Sequence, residues 1–271
     1  MLIYAGHGDL VSHGEHPPER GLRSECGGVD QAGPGAAGRA LALALSFLAP
    51  PRCGICGGLC GVSRPACDRC VSALDRAPVA QLHVPELDVV FAALAYESEA
   101  RALIAALKFR RLAALARVAA EAIAAKVPAH VLEPARIGEV MIVPVPPSPA
   151  RLRSRGLDPA EEIALALGRL TGSGVERCLG REEARRQVGR PRRERLEDPP
   201  RFHAPAATPE SVLLVDDVTT TGATLSSCAR ALRTAGSRRV AGVTFASAER
   251  RWPVAGGRWP VTRGPADPPR A

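Results

Sequence analysis

Runs of apolar residues alternate along the chain with stretches in which apolar residues recur at helical spacing. The runs have the length and the polar or turn-forming boundaries of buried parallel strands. They lie at 89–96, 139–145, 212–215 and 239–245. The stretches with helical spacing lie at 99–107, 112–126, 159–170 and 223–235. This succession predicts an α/β fold with a doubly wound, mainly parallel sheet.

Turn-forming residues mark several predicted boundaries. Asp158 followed by Pro159 is typical of a helix N-terminus, because aspartate caps free amides and proline has no amide to satisfy. Proline and glycine predict a turn over 134–138. A short apolar helix is predicted over 39–48, and Pro50 ends it.

The predicted strand over 212–215 leads directly into the most distinctive stretch of the chain. Asp216 and Asp217 follow it, then four threonines surround Gly222, and a predicted helix begins. The amides of such a turn attract a phosphate dianion, and glycine lets the backbone approach it closely. The two carboxylates can accept hydrogen bonds from the vicinal hydroxyls of a ribose. The simpler alternative is an ordinary strand and helix in which Asp217 and Thr219 act only as caps.

Eight cysteines occur in the chain, and five of them lie between residues 53 and 70. Cys53, Cys56, Cys67 and Cys70 form two C-x2-C pairs, and each pair points two thiolates at one place. Four such ligands predict a tetrahedral zinc site, which is structural because no coordination position stays open. Cys60 lies between the pairs as an alternative ligand. Reduced cysteines without a metal are the other interpretation.

Basic side chains lie close to two of the predicted strand ends. Lys108 lies in an apolar stretch, which predicts either a cation at a helix C-terminus or a side chain that reaches a site. Arg151, Arg153 and Arg155 follow the strand over 139–145. Ligands bind at the carboxyl ends of parallel strands, and arginine donates paired hydrogen bonds to phosphate oxygens. These arginines are therefore candidates for an anion site, or else the solvated start of a basic helix.

The segment over 177–202 contains nine arginines and a single aromatic residue, Phe202. It predicts a basic loop that acts as a lid over an anionic substrate or as a nucleic-acid contact. A disordered charged insertion is the alternative. The scarcity of aromatic residues argues against sequence-selective reading of a single strand.

The chain has 271 residues, a net charge of +8 and a pI near 9.5. This charge favours acidic ligands such as nucleotides, pyrophosphate or nucleic acid, or else reflects a solvated arginine-rich surface. No secretory signal is visible, and the apolar stretch over 40–50 is too short to span a membrane. We therefore expect a cytoplasmic protein without membrane insertion, whose clustered cysteines bind a metal.

Composition divides the chain into four predicted segments. Residues 1–38 lack periodicity and predict disorder or an over-long start. Residues 39–80 contain the short helix and the four-cysteine segment, and residues 86–250 form the α/β domain. Residues 251–271 are rich in proline, glycine and arginine and predict a loose tail.

The stretch over 212–225 resembles the ribose-phosphate signature of type I phosphoribosyltransferases, which bind 5-phosphoribosyl 1-pyrophosphate (PRPP). The order of parts over residues 40 to about 247 is similar to the ComF family of bacterial phosphoribosyltransferase-like proteins. Besides the paired cysteines, the matching positions are Tyr96, Ile104, Leu107, Lys108, Phe109, Pro144, Val145, Pro146, Arg155, Gly156, Gln187, Glu194, Arg195, Phe202, Asp216 and Asp217.

The resemblance implies a type I phosphoribosyltransferase fold and a PRPP site. Asp216 and Asp217 would hold the ribose hydroxyls and, with Lys108 and Arg155, form the catalytic set. Arg151 and Arg155 would face the pyrophosphate, and Mg²⁺ would bridge pyrophosphate and ribose. The residues implied to bind the 5-phosphate are Thr219, Thr220, Thr221, Gly222, Ala223 and Thr224.

The resemblance leaves two functions open. The first is Mg²⁺-dependent transfer of a phosphoribosyl group to an acceptor. The second is a PRPP-sensing module that contacts DNA or a protein of the competence machinery during DNA uptake. The chain has Leu-Asp-Pro at 157–159 where the family has Phe-Asn-Gln, and Arg-Arg at 110–111 where it has glycine. These departures favour the second function, whereas the arginines after residue 145 favour the first. The oligomeric state stays open.

Overall fold

The computed structural model describes residues 50–62, 64–110, 112–182, 200–205 and 207–248. The predicted N-terminal extension, the helix over 39–48 and the tail over 251–271 lie outside the described residues, and so do positions 183–199 of the basic segment. For Arg151 and Arg155 the backbone is described and the side chains are not.

Five strands form one mixed sheet in which four neighbouring strands are parallel. The strands are β1 (Ala80–Leu82), β2 (Val89–Ala95), β3 (Met141–Pro144), β6 (Ser211–Thr219) and β7 (Arg239–Ser247). Their order is β1-β2-β7-β6-β3, with β1 antiparallel at one edge. Two short strands, β4 (Gly180–Arg181) and β5 (Phe202–His203), pair separately. The predicted α/β fold with a mainly parallel sheet is confirmed.

Helices connect the strands. Those within the described residues are α1 (Asp68–Arg76), α2 (Ser98–Arg110), α3 (Leu115–Lys126), α4 (Ala129–Arg136), α5 (Pro149–Arg155), α6 (Pro159–Thr171) and α7 (Ala223–Thr234). The predicted helices correspond to α2, α3, α6 and α7, with boundaries that differ by a few residues. No helix in the described part of the chain has both the length and the apolar character needed to cross a membrane.

The turn predicted over 134–138 is wrong in part, because Pro134 lies inside α4. A proline in a helix removes one backbone hydrogen bond. The buried residues Val131 and Leu132 lie on the same short helix. Burying each of them contributes about 1.5–3 kcal/mol, which offsets the lost bond. The chain turns only at Gly138, which has a left-handed φ of 77°.

Both faces of the sheet are covered. Alternate residues of a strand point to opposite faces. Leu213 and Val215 of β6 therefore belong to one core with α1, α2, α3, α4 and α6. Val212 and Leu214 belong to a second core with α7. Burial on both faces explains why this strand appears in the sequence as an uninterrupted apolar run.

Arg233, near the end of α7, connects that helix to the loop between β1 and β2. Its Nε donates to the carbonyl of Glu86 at 2.8 Å, and one terminal nitrogen donates to the carbonyl of Arg238 at 2.9 Å. The other terminal nitrogen lies 2.7 Å from Oδ1 of Asp88. Oδ2 of Asp88 accepts a hydrogen bond from the amide of Val240 at 2.8 Å. One side chain thus joins α7, β7 and the first loop of the sheet.

We expect Arg233→Ala to lower the free energy of unfolding by about 2 kcal/mol, because the loss leaves Asp88 and two carbonyls without their charged donor. Arg230→Ala is a matched control on the same helix. Its pair with Glu86 is longer, at 3.5 Å, and mostly exposed, so its loss should change stability by less than about 0.5 kcal/mol. Urea unfolding followed by circular dichroism measures both variants, and equal losses would contradict the role of this network.

Candidate functional site

Strand β6 extends beyond its neighbour β3. The two strands pair as far as Pro144 opposite Val215, while β6 continues to Thr219 and stays paired with β7. Asp216 and Asp217 lie within this extension, so the strand is longer than the apolar run predicted. The extension lies at the carboxyl ends of the parallel strands, which is where open α/β sheets bind ligands.

The two aspartates lie side by side and are largely buried. Asp216 is 9% exposed, and its Oδ1 accepts a hydrogen bond from the amide of Asp217 at 2.8 Å. Burial raises the pKa of Asp216 well above its ordinary value, and the charge of Asp217 raises it further. Oδ2 of Asp217 forms an ion pair with the ammonium of Lys108, and these two side chains are 13% and 20% exposed. Helix α2 thus brings a lysine next to both aspartates.

Asp158 is a third buried carboxyl near this pair, and the sequence indicated it only as a helix cap. It does cap α6, since its side chain accepts a hydrogen bond from the amide of Ala160 at 3.3 Å. Burial raises the pKa of Asp158 to about 7, and the charge of Asp217 contributes to the rise. No local pattern could have indicated the proximity to Asp217, because it depends on how α6 packs against the sheet.

The turn after β6 presents backbone amides at the start of α7. Gly222 caps the helix with a left-handed φ of 74°, and a Cβ at this position would lie 2.7 Å from Val84. Both the conformation and the packing therefore require glycine. The amide of Ala223 donates to the hydroxyl of Thr221 at 3.4 Å. Among the described residues, no hydrogen-bond partner is found for the amides of Thr220, Thr221, Gly222 and Thr224.

These amides and the N-terminus of α7 form a favourable place for an anion, because both present partial positive charge. Of the side chains implied to bind a phosphate, Thr219 is buried at the end of β6. Thr220, Thr221 and Ala223 are exposed, and Thr224 is half-buried. The turn is therefore accessible from solvent, while its base is held in the sheet.

The arginines that follow β3 begin a short helix. Arg151, Arg153 and Arg155 all lie on α5, which starts soon after the carboxyl end of β3. Arg153 is exposed. The backbone thus lies at the predicted end of the strand, and the part of Arg151 and Arg155 in anion binding stays a prediction.

The second site is a cluster of four thiols. The Sγ atoms of Cys53, Cys56, Cys67 and Cys70 all lie within 4.8 Å of one another. Those of Cys56 and Cys67 are 3.8 Å apart, and a tetrahedron with Zn–S bonds of 2.3 Å has edges of about 3.8 Å. The Cys60 sulfur instead lies 3.5 Å from the carbonyl of Arg64. The predicted cluster is confirmed, and its donor set and spacing fit a metal such as zinc.

Backbone amides around the cluster favour the thiolate form of one ligand. Burial disfavours the charge on Cys53, but hydrogen bonds from neighbouring amides lower its pKa to about 6. One of these donors is the amide of Cys67, 3.3 Å from the sulfur. Amides that donate to a thiolate orient metal-binding sulfurs and stabilise their negative charge.

The four-cysteine segment packs directly on the α/β domain. Ile55 and Leu74 are buried in the same core as α2 and α3. The ammonium of Lys126 on α3 donates to the carbonyls of Asp75 and Ala77, at the end of α1. The segment therefore shares its hydrophobic core with the sheet rather than forming one of its own.

No protein-family model matches the chain, and no curated protein matches it. What the two sites do must accordingly be inferred from their residues and geometry.

We expect about one zinc ion per chain in freshly reduced protein, held by the four clustered thiols. Cys70→Ser should remove the metal and lower the melting temperature, because the free energy of metal binding stabilises the folded segment. Cys60→Ser is the matched control and should keep the full zinc content. Elemental analysis with thermal unfolding tests the assignment, and metal-free wild-type protein would contradict it.

We expect Asp158→Asn to stabilise the protein in a pH-dependent way. The folded state binds the Asp158 proton more tightly than the unfolded chain, so the wild type loses stability as the pH rises from about 4 to about 7. Asparagine caps a helix equally well and carries no charge. The gain should be near zero at pH 4 and on the order of 4 kcal/mol above pH 7.

Urea unfolding between pH 4 and 8 measures this difference. Glu133→Gln is the control, because Glu133 is exposed and makes a loose 4.0 Å pair with Arg136. Its effect should stay flat over the same range. A flat profile for Asp158→Asn as well would show that this carboxyl is not held protonated by the fold.

Proposed function

We propose that the protein binds PRPP together with Mg²⁺ where β6 leads into α7, and that it is a phosphoribosyltransferase-like protein of the ComF kind. The observation that carries the proposal is the placement of Asp216 and Asp217 on a strand extension just before a turn with accessible amides. A 5-phosphorylated ribose carries a diol and a phosphate on one small ring. The carboxylates supply acceptors for the diol, and the amides supply donors for the phosphate.

The ion pair between Lys108 and Asp217 supports this assignment. It holds the Asp217 carboxyl group in place at the end of β6, where its oxygens can accept hydrogen bonds from sugar hydroxyls. The turn directly follows the aspartates in the chain. The aspartates would thus bind the diol of the ligand, and the amides of the turn would bind its phosphate. We assign Arg151 and Arg155 to the pyrophosphate from their place after β3 and from the resemblance.

In the transfer reaction, the bond between the anomeric carbon and the pyrophosphate oxygen breaks, and pyrophosphate leaves with both bonding electrons. An acceptor nucleophile forms the new bond to that carbon and releases its proton. Positive charge develops on the ring during this exchange, and the carboxylate of Asp217 beside it would stabilise that charge.

Mg²⁺ prefers phosphate oxygens and water to an all-protein cage. The residues present fit that mode. Within the described residues, the four cysteines form the only cluster of three or more potential metal ligands. Asp216 and Asp217 would therefore supply only part of the coordination of Mg²⁺. A metal bound mainly to the substrate would neutralise charge on the leaving pyrophosphate.

A PRPP-sensing module without transfer activity is the second candidate. Asp158 favours it, because this buried carboxyl lies near Asp217 at a position where the family pattern has asparagine. The four-cysteine segment and the basic residues would then contact DNA or a competence protein in the cytoplasm. Incubation with PRPP, Mg²⁺ and a panel of nucleobases separates the two. Pyrophosphate release above background supports transfer, and saturable binding without release supports the sensor.

We expect the double variant Asp216→Asn, Asp217→Asn to weaken PRPP binding by about 100-fold or more. Losing the acceptor that pairs with Lys108, Asp217, is worth about 1.5–3 kcal/mol and losing the Asp216 carboxyl about 0.5–1.5 kcal/mol, which together correspond to a change of this size. Calorimetric titration of PRPP in the presence of Mg²⁺ measures it. Circular dichroism checks that the fold is kept, because the variant removes the carboxylate partner of the Lys108 ammonium.

Glu121→Gln is the matched control for the double variant, since it neutralises a carboxylate on α3 that pairs with Arg117 at the surface. It should bind PRPP like the wild type. Unchanged affinity in the double variant would count against the proposed site.

A further inference from the structure

The last turn of α2 lies between the two sites. Lys108 pairs with Asp217 at the end of β6. Two residues later, a terminal nitrogen of Arg110 donates to the carbonyl of Gly54, inside the first cysteine pair. Residues two positions apart on a helix point in directions about 200° apart. One helical turn therefore contacts the carboxylates on one side and the thiol cluster on the other.

The carbonyl that Arg110 contacts has a well-defined position. The amide of Gly54 donates to the carbonyl of Pro65 at 2.8 Å, which ties the first cysteine pair to the second. A Cβ on Gly54 would lie 3.0 Å both from that carbonyl and from Leu115 at the start of α3. Gly54 is thus enclosed between the second cysteine pair and the start of α3, so its position is coupled to that of the thiol cluster.

Helix α2 does not lie flat against the thiol cluster. A groove of about 390 Å³ is lined by Ala102 and Ala105 on the helix and by Ile55 and Gly57 of the four-cysteine segment. Phe109 on the last turn is 71% exposed. The C-terminal end of a helix also lacks partners for its last carbonyls and frays readily. Contacts at the end of α2 therefore have a large influence on where this turn lies.

We propose that Arg110 is a positioning residue that transmits the state of the four-cysteine cluster to Lys108. With the metal bound, the carbonyl of Gly54 is held in place and Arg110 keeps the last turn of α2 formed. Lys108 then stays next to Asp217. When the metal is lost, the carbonyl becomes mobile, the turn frays, and the ion pair weakens. The consequence for PRPP rests on the proposed function, whereas the coupling between the clusters does not.

Hydrogen exchange of the full-length protein tests the coupling without any ligand. In the wild type, removing zinc with a chelator should speed exchange of the amides of residues 107–110 by about tenfold, the effect of losing roughly 1.4 kcal/mol. Arg110→Ala should exchange at this faster rate with zinc still bound, and the chelator should add little. Arg110→Lys should restore part of the protection, because lysine also donates to a carbonyl.

Arg117→Ala is the control, since its pair with Glu121 lies on the exposed side of α3. It should behave like the wild type. Zinc content is measured for every variant. Wild-type exchange rates in zinc-loaded Arg110→Ala would overturn the proposal. Loss of zinc from Arg110→Ala would also overturn it, because the arginine would then hold the metal segment rather than transmit its state.

The affinity for PRPP gives a second readout. We expect Arg110→Ala to weaken binding by about tenfold with zinc bound, and Arg110→Lys to weaken it less. Absence of PRPP binding in the wild type would refute the proposed function and leave the exchange test in force. Tight binding in the wild type and equally in Arg110→Ala, with unchanged exchange, would refute the coupling alone.

Discussion

Two adjacent carboxylates in a buried position repel each other, and a cation close by offsets that repulsion. Lys108 supplies that cation for Asp217, while Asp216 has a raised pKa. The paired ammonium also costs less to bury than it would alone. The arrangement at the end of β6 therefore depends on a helix that begins well before it in the chain.

Helix α2 contacts both candidate sites. It begins soon after the carboxyl end of β2 and ends beside the carboxyl end of β6, so it passes across the edge of the sheet where the site lies. Its last turn also contacts the backbone of the four-cysteine segment through Arg110. Because that segment shares the domain core, it forms a support for the helix that carries the site lysine.

The carboxylates, the turn and the thiol cluster differ in how strongly the chain specifies them. Gly222 is required twice, by its left-handed φ and by its contact with Val84. The cysteines need only their spacing to converge on one point. Asp158, by contrast, combines a local role as a cap with a charge that acts on Asp217 across the fold.

Features that depend on neighbouring residues in the chain could be predicted from the sequence. The apolar runs indicated the four parallel strands, Asp158 and Pro159 marked the start of α6, and the C-x2-C spacing indicated the thiol cluster. Each of these follows from the local geometry of strands, helix caps and C-x2-C pairs. The order Asp-Asp, threonines and glycine likewise indicated a turn at the start of a helix.

The neighbours of these local features in space depend on the tertiary structure. Packing between distant segments determines how far β6 extends beyond β3 and brings Lys108 next to Asp217. It also raises the pKa of Asp158. The helix around Pro134 exists because burial outweighs a local penalty. Backbone propensity and spacing act over a few residues, whereas charge burial and close packing act through space, so a one-dimensional pattern cannot specify them.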